Sequence, residues 1–220
     1  MEIYHLCNRG VEKRDVFLDD GDRARFVHNL FVMNDSHPAP NHILEARGSV
    51  ARTEHTRNLL VRILVWCLMP NHYHLLVSPV DDDLANLSLF AQKFGMGYSK
   101  FFNEKYQRSG SLWQGKYRKM HITRDAHFLY VPFYIHLNPL DLVMPEWREG
   151  RARDTATALK ALSVYRWSSF LDYTGEKNFP SILDASLLSS VLGPRFEQER
   201  AIQDIISDGL LASSSLDLEM

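Results

Sequence analysis

Leu59 to Met69 is the most hydrophobic run in this 220-residue chain, and its length suits a strand buried at the centre of a sheet. Pro70-Asn71 breaks the run, and His72 to Val77 resumes as a second extended segment. Two strands joined by so short a break are expected to be antiparallel neighbours. The other elements arrange around that hairpin. Glu2 to Asn8 alternates apolar and polar residues and reads as a strand, closed by a turn at Asn8-Arg9-Gly10. From Asp22 to about Val32, Phe26, Val27, Leu30 and Phe31 fit one face of a helix. Leu84 to about Lys105 places Leu84, Leu87, Phe90, Phe94, Tyr98, Phe101 and Phe102 along a long amphipathic helix. Leu112 to Ile122 is aromatic and basic and contains a strand, and Asp125 to Asn138 is helical by pattern, with Pro132 as an internal difficulty. This order predicts an α+β sandwich, an antiparallel sheet with helices on one face.

Asn34 to Asn58 has no clear period and reads as an irregular loop. Residues 1–142 are read as the main domain. Residues 143–220 form an extension packed on it, with helical patterns near Asp184 to Leu192 and Phe196 to Ile206.

Hydrophobic residues make up 45% and charged residues 24%, so a core forms without staples. Cys7 and Cys67 each sit in an apolar, strand-like stretch and are read as buried thiols of a reducing cytosol. No segment approaches a membrane span, and the N-terminus lacks a signal pattern, so the expectation is a cytoplasmic protein without membrane contact. The net charge of −2 argues mildly against a nucleic-acid binder until its distribution is seen. Lys93 to Arg124 holds eight basic residues against Glu104 alone, a local +7, and Asp184 to the end carries a local −5. Such a segregated stretch fits either a phosphate footprint or a solvated helix face.

Three features carry chemistry. In His72-Tyr73-His74 the imidazoles stand at i and i+2 on a strand, so they share a face and suit a divalent ion; surface histidines would look the same. In Tyr134-Ile135-His136-Leu137-Asn138-Pro139, Tyr134 and Asn138 share a helix face, which would set a phenol beside an amide oxygen able to act as a third metal ligand. Alternatively, Tyr134 is a packing residue and Asn138 a C-terminal cap. In the stretch Gly110 to Lys119, aromatics interleave with cations, as single-stranded nucleic acid needs; a charged edge strand reads identically.

Met69-Pro70-Asn71-His72-Tyr73-His74-Leu75-Leu76-Val77 resembles the signature of the HUH single-tyrosine transposases, and the chain most resembles their REP-associated branch. The blocks run in order from Asn8-Arg9-Gly10 through that signature and the Gly-x-Leu-Trp-Gln-Gly-Lys-Tyr block. Tyr-Ile-His-Leu-Asn-Pro and Trp167-Ser168-Ser169-Phe170 complete the series, and the five span roughly residues 3 to 175. The resemblance implies a ferredoxin-like sheet, a divalent ion (Mg²⁺ or Mn²⁺) and a 5′-phosphotyrosine intermediate with single-stranded or hairpin DNA. By position it makes His72 and His74 metal ligands and Tyr134 the nucleophile. Asn138 stands where insertion-sequence relatives place a ligating glutamine, one methylene longer. Arg9, Trp113, Lys116, Tyr117 and Arg118 are implied near DNA. Relatives act as monomers or as homodimers.

The chemistry is coherent by itself. A metal on neutral imidazoles withdraws charge from a phosphoryl group. A tyrosine, with a pKa of about 10, leaves more readily than a sugar hydroxyl, so the covalent bond is kept for rejoining. The competing readings are a hairpin-DNA-binding protein with a decayed catalytic site and a metal-dependent phosphoesterase of small molecules. The second would not need the basic stretch from Lys93 to Arg124.

Overall fold

The computed structural model of the chain describes residues 1–38, 57–123, 125–149 and 154–208. Most of the stretch Asn34 to Asn58, expected as a loop, lies outside the described residues. Strands β1 (Tyr4–Arg9), β2 (Val61–Met69), β3 (His72–Pro79) and β4 (Arg118–His121) form one sheet in the order β2-β3-β1-β4. All three pairings are antiparallel. Helices α1 (Asp20–Val32) and α2 (Leu84–Lys105) follow β1 and β3, which completes the expected ferredoxin-like order. Helix α3 (Asp125–Leu137) comes next and runs through Pro132. The extension adds α4 (Thr155–Val164), α5 (Phe170–Tyr173), α6 (Ser186–Leu192) and α7 (Arg195–Asp208).

The helices start where side chains meet orphan amides. Asp19 accepts from the Asp22 amide at 2.8 Å while Asp22 bonds back to the Asp19 amide, a reciprocal cap on α1. Asp83 caps α2 by accepting from the Ala85 amide at 2.8 Å. From there Leu87, Phe90, Phe94, Tyr98 and Phe102 recur at helical spacing and are all buried, whereas Leu84 in the first turn is exposed. Side chains of this size each contribute about 1.5–3 kcal/mol on full burial, so α2 is held by its inner face.

The sheet is covered twice. Leu6, Trp66, Leu68, Tyr73, Leu75 and Val77 point to α1 and α2 and make the larger core with Phe26, Phe90 and Phe94. The antiparallel α+β reading thus holds, with α1 and α2 on one face. The opposite face, with Val65, Cys67, Met69 and Leu76, lies under Val131, Tyr134 and Ile135 of α3 and Leu188 and Leu192 of α6. The composition of α3 gives the reason: it is apolar on more than one side, because Leu137 packs away from the sheet against Trp147, Leu162 and Ile206 of the extension. Cys7 and Cys67 are buried free thiols, as expected. Among the described residues, no helix is long and apolar enough to cross a membrane.

Candidate active site

The site is built on the α3 face of the sheet by strand register. His72 faces Arg9 of β1 and Met69 of β2, while His74 faces Cys7 and Cys67. Residues directly opposite in an antiparallel pair point the same way, so both imidazoles and Arg9 emerge together. The two rings lie 4.9 Å apart between centroids and nearly perpendicular, at 85°. Tyr134 descends from α3 with its ring edge-on to His74, centroids 5.7 Å apart. His72, His74, Tyr134, Asn138 and Arg9 line one cavity of about 310 Å³, which Asp141, Pro145 and Arg148 complete. The sequence therefore assembled most of its chemistry in one place, including Tyr134 rather than Tyr130, which packs into the hydrophobic layers on both sides of α3.

Burial sets the protonation of these groups. It depresses His72 to about 3, helped by the charges of Arg9 and Arg148, and His5 to about 4, helped by Arg118. His74 is held well below the usual imidazole range, first by burial and then by His72 and His5. All three are neutral at physiological pH, the form that offers a lone pair to a metal. Burial also pushes the Cys7 thiol up to about 11, so it stays protonated there. His5, Cys7 and His74 bring potential ligand atoms within 4.8 Å of one another, yet His5 Nε2 already sits 2.9 Å from His74 Nδ1. On the other imidazole, His72 Nδ1 lies 2.6 Å from Asn71 Oδ1.

Asn138, the expected third metal ligand, lines the cavity beside the histidines and already has hydrogen-bond partners there. Its amide donates to the Tyr134 carbonyl at 2.8 Å, and its Oδ1 accepts from Arg148 Nη2 at 3.0 Å. Fully buried, it closes the end of α3 as a cap, so both halves of the amide are engaged inside the protein. Arg148 is itself gripped by both oxygens of Asp141, at 2.8 and 2.7 Å, and its guanidinium stands 5.4 Å from the Tyr134 ring centroid.

Trp113 needs a correction. Its ring is buried among Phe26, Tyr73 and Tyr98, and its Nε1 donates to the Gly95 carbonyl, so it is a core residue and offers no face to a base. Tyr117 is half-buried against the same core. Lys116 is exposed, 5.7 Å from the Tyr117 ring centroid. Arg118 is exposed on edge strand β4 opposite Cys7, on the same sheet face as the histidines. Part of the basic stretch is structural: Lys93 donates to the carbonyls of Asp35 and His37, and Lys105 pairs with Asp19 and Asp22 at 2.7 Å.

The model of the family described as "Transposase IS200 like" matches residues 26–138. The chain belongs to the IS200-like transposase family. A solved structure entitled "Structure of the REP associates tyrosine transposase bound to a REP hairpin" is similar at 13% identity and a TM-score of 0.44, covering 78% of this chain and 77% of that one. No curated protein matches.

Several motifs that mark the chain as a transposase relative prove to be scaffold for the site. Gly10 must be glycine, since a Cβ there would stand 2.3 Å from the Arg14 carbonyl oxygen. Its amide donates to the Asn71 carbonyl at 2.8 Å, and Leu112 and Gln114 bond Val11 and Arg9, so the Asn-Arg-Gly and Leu-Trp-Gln blocks clamp the mouth of the hairpin. Trp167 and Ser168 run along the free edge of β2, where the Leu68 amide donates to the Trp167 carbonyl at 2.9 Å. Sequence reasoning missed His5, Asp141 and Arg148. His5 was legible in principle, because it alternates with Cys7 and Arg9 on β1. Asp141 and Arg148 lie in short 3-10 turns, where no period marks a facing residue.

Proposed function

We propose that this transposase relative cuts and rejoins single-stranded DNA at hairpins, with Tyr134 as nucleophile and a divalent ion (Mg²⁺ or Mn²⁺) held by His72 and His74. The observation that carries the reading is one cavity shared by a tyrosine, two neutral imidazoles (His74 buried, His72 half-buried) and Arg9. Burial keeps both rings neutral, so each offers a lone pair; two imidazoles suit Mn²⁺ better than Mg²⁺, and oxygen ligands from water and phosphate would complete the set for either ion. When bound, the ion would polarise the phosphoryl oxygens.

The residues then divide the work. Tyr134 Oη bonds to phosphorus and loses its proton, while the bond from phosphorus to the 3′ oxygen breaks and that oxygen takes up a proton to leave as a 3′ hydroxyl, with the 5′ phosphate on the tyrosine. Attack by a 3′ hydroxyl on that phosphotyrosine reverses the exchange and joins the strands. Arg9 faces the phosphate from β1, and Lys116, Tyr117 and Arg118 follow the strand along the segment that leads into β4.

Incubation with hairpin-containing single-stranded DNA and Mn²⁺, followed by a denaturing gel, is the test. A covalent adduct is expected that disappears with EDTA and in His72→Ala and His74→Ala, both of which still retain DNA in a native gel. Retention by the wild type without adduct would mean a decayed hairpin-binding protein instead. Neither retention nor adduct, with hydrolysis of a small phosphodiester, would favour the phosphoesterase.

A further inference from the structure

We infer that His5 and Asn71 lock the two imidazoles of the site in one tautomer, with the proton on Nδ1, so that both Nε2 lone pairs are left for a ligand. The inference deepens the metal reading above and rests on it only in naming that ligand. Neutral imidazole carries its proton on either nitrogen, and a ring with Nε2 protonated cannot ligate through that atom. Something must choose, and two contacts do.

The Asn71 contact is decided by geometry. Asn71 Nδ2 donates to the Lys13 carbonyl at 3.1 Å, which can only accept, so the amide is oriented with its oxygen towards His72. That oxygen, 2.6 Å from His72 Nδ1, must accept, which puts the proton on Nδ1. The Asn71 of the Met-Pro-Asn-His block is thus a positioning residue for the histidine that follows it.

On the second ring, His5 Nε2 and His74 Nδ1 share one proton across 2.9 Å, with the two rings stacked at 15° and almost fully buried, at 1% and 2% exposure. The surrounding charge selects its owner. Arg118 acts on His5 from β4, and Arg9 and Arg148 act on His74 from the cavity. There Arg148 is tied to Asp141, and Arg9 is the cation left without a carboxylate partner among the described residues. A His74 that turned an N–H towards the cavity would oppose that cation, whereas a lone pair turned there is favoured. His74 therefore donates and His5 accepts, holding its own proton on Nδ1. Metal-binding histidines are commonly oriented by such an outer partner, whose loss weakens metal affinity by about 10–100-fold.

Long-range ¹⁵N–¹H NMR on the metal-free full chain reads each tautomer directly. His72 and His74 are expected with Nδ1 protonated, and His5→Phe, which keeps ring volume without an acceptor, should release His74 into a mixture. His5→Gln, which retains an oxygen able to accept, should restore the Nδ1–H form. Thermal unfolding checks that each variant is folded, and calorimetric Mn²⁺ titration should show His5→Phe weakened by about 10–100-fold and His5→Gln recovering much of the loss. Nε2 protonated on His72 or His74 in the wild type would overturn the inference, as would an unchanged His74 tautomer in folded His5→Phe. If the wild type shows the expected tautomers but Mn²⁺ does not bind, the lock stands and the metal reading fails.

Discussion

His136 belongs to a block associated with catalysis, but the structure gives it no place in the cavity. Its Nε2 lies 2.9 Å from the Ser169 hydroxyl, and burial depresses it to about 3. Its folded pKa is below the unfolded value of about 6.5, so its contribution is complete above about pH 6.5 and is lost as pH falls from there towards 3. His5 behaves alike, depressed to about 4. Each such histidine removes up to about 1.4 kcal/mol of stability per pH unit below 6.5. The thermal midpoint should therefore drop between pH 7 and pH 5, with a shallower dependence in His136→Gln. A flat profile over that range would refute the assignment. At this scale the His72 and His74 pair was legible because the two-residue period of a strand leaves little freedom. Trp113 was misread because an aromatic among cations looks the same whether it faces a ligand or the interior.

At the scale of elements, the hairpin of β2 and β3, the helices α1 and α2, and the presence of β4 all followed from hydrophobic period and turn chemistry. The role of Trp167 to Phe170 did not. Ser169 Oγ accepts from the Trp66 amide at 3.0 Å and also contacts His136, tying β2 to α3 through one hydroxyl. Nothing local in the sequence announces a pairing 103 residues apart. Ser169→Ala would leave a buried amide and a buried imidazole without that partner, a cost of about 1–3 kcal/mol. Urea unfolding should show the loss in the midpoint with the slope unchanged, and a change below a few tenths of a kcal/mol would mean that the contact is incidental.

Across the whole molecule, the extension covers the half of the sheet that carries the site. It borders β2, supplies Leu188 and Leu192 to the layer over Val65 and Cys67, and brings Arg148 to the cavity rim. Its helices α6 and α7 were legible as amphipathic patterns, but their docking was not, because an apolar face does not name its partner. A chain ending at Leu142 would bare the β2 edge and the apolar side of α3, and it is expected to aggregate or unfold without cooperativity; a soluble, cooperatively unfolding fragment would contradict this. The central claim concerns the chemistry that this architecture encloses, and peptide mapping by mass spectrometry of the adduct trapped on hairpin DNA with Mn²⁺ tests it most directly. The account predicts a nucleotide on Tyr134, no adduct from folded Tyr134→Phe, and adduct retained in Tyr130→Phe. A nucleotide on Tyr130, or adduct persisting in Tyr134→Phe, would contradict it.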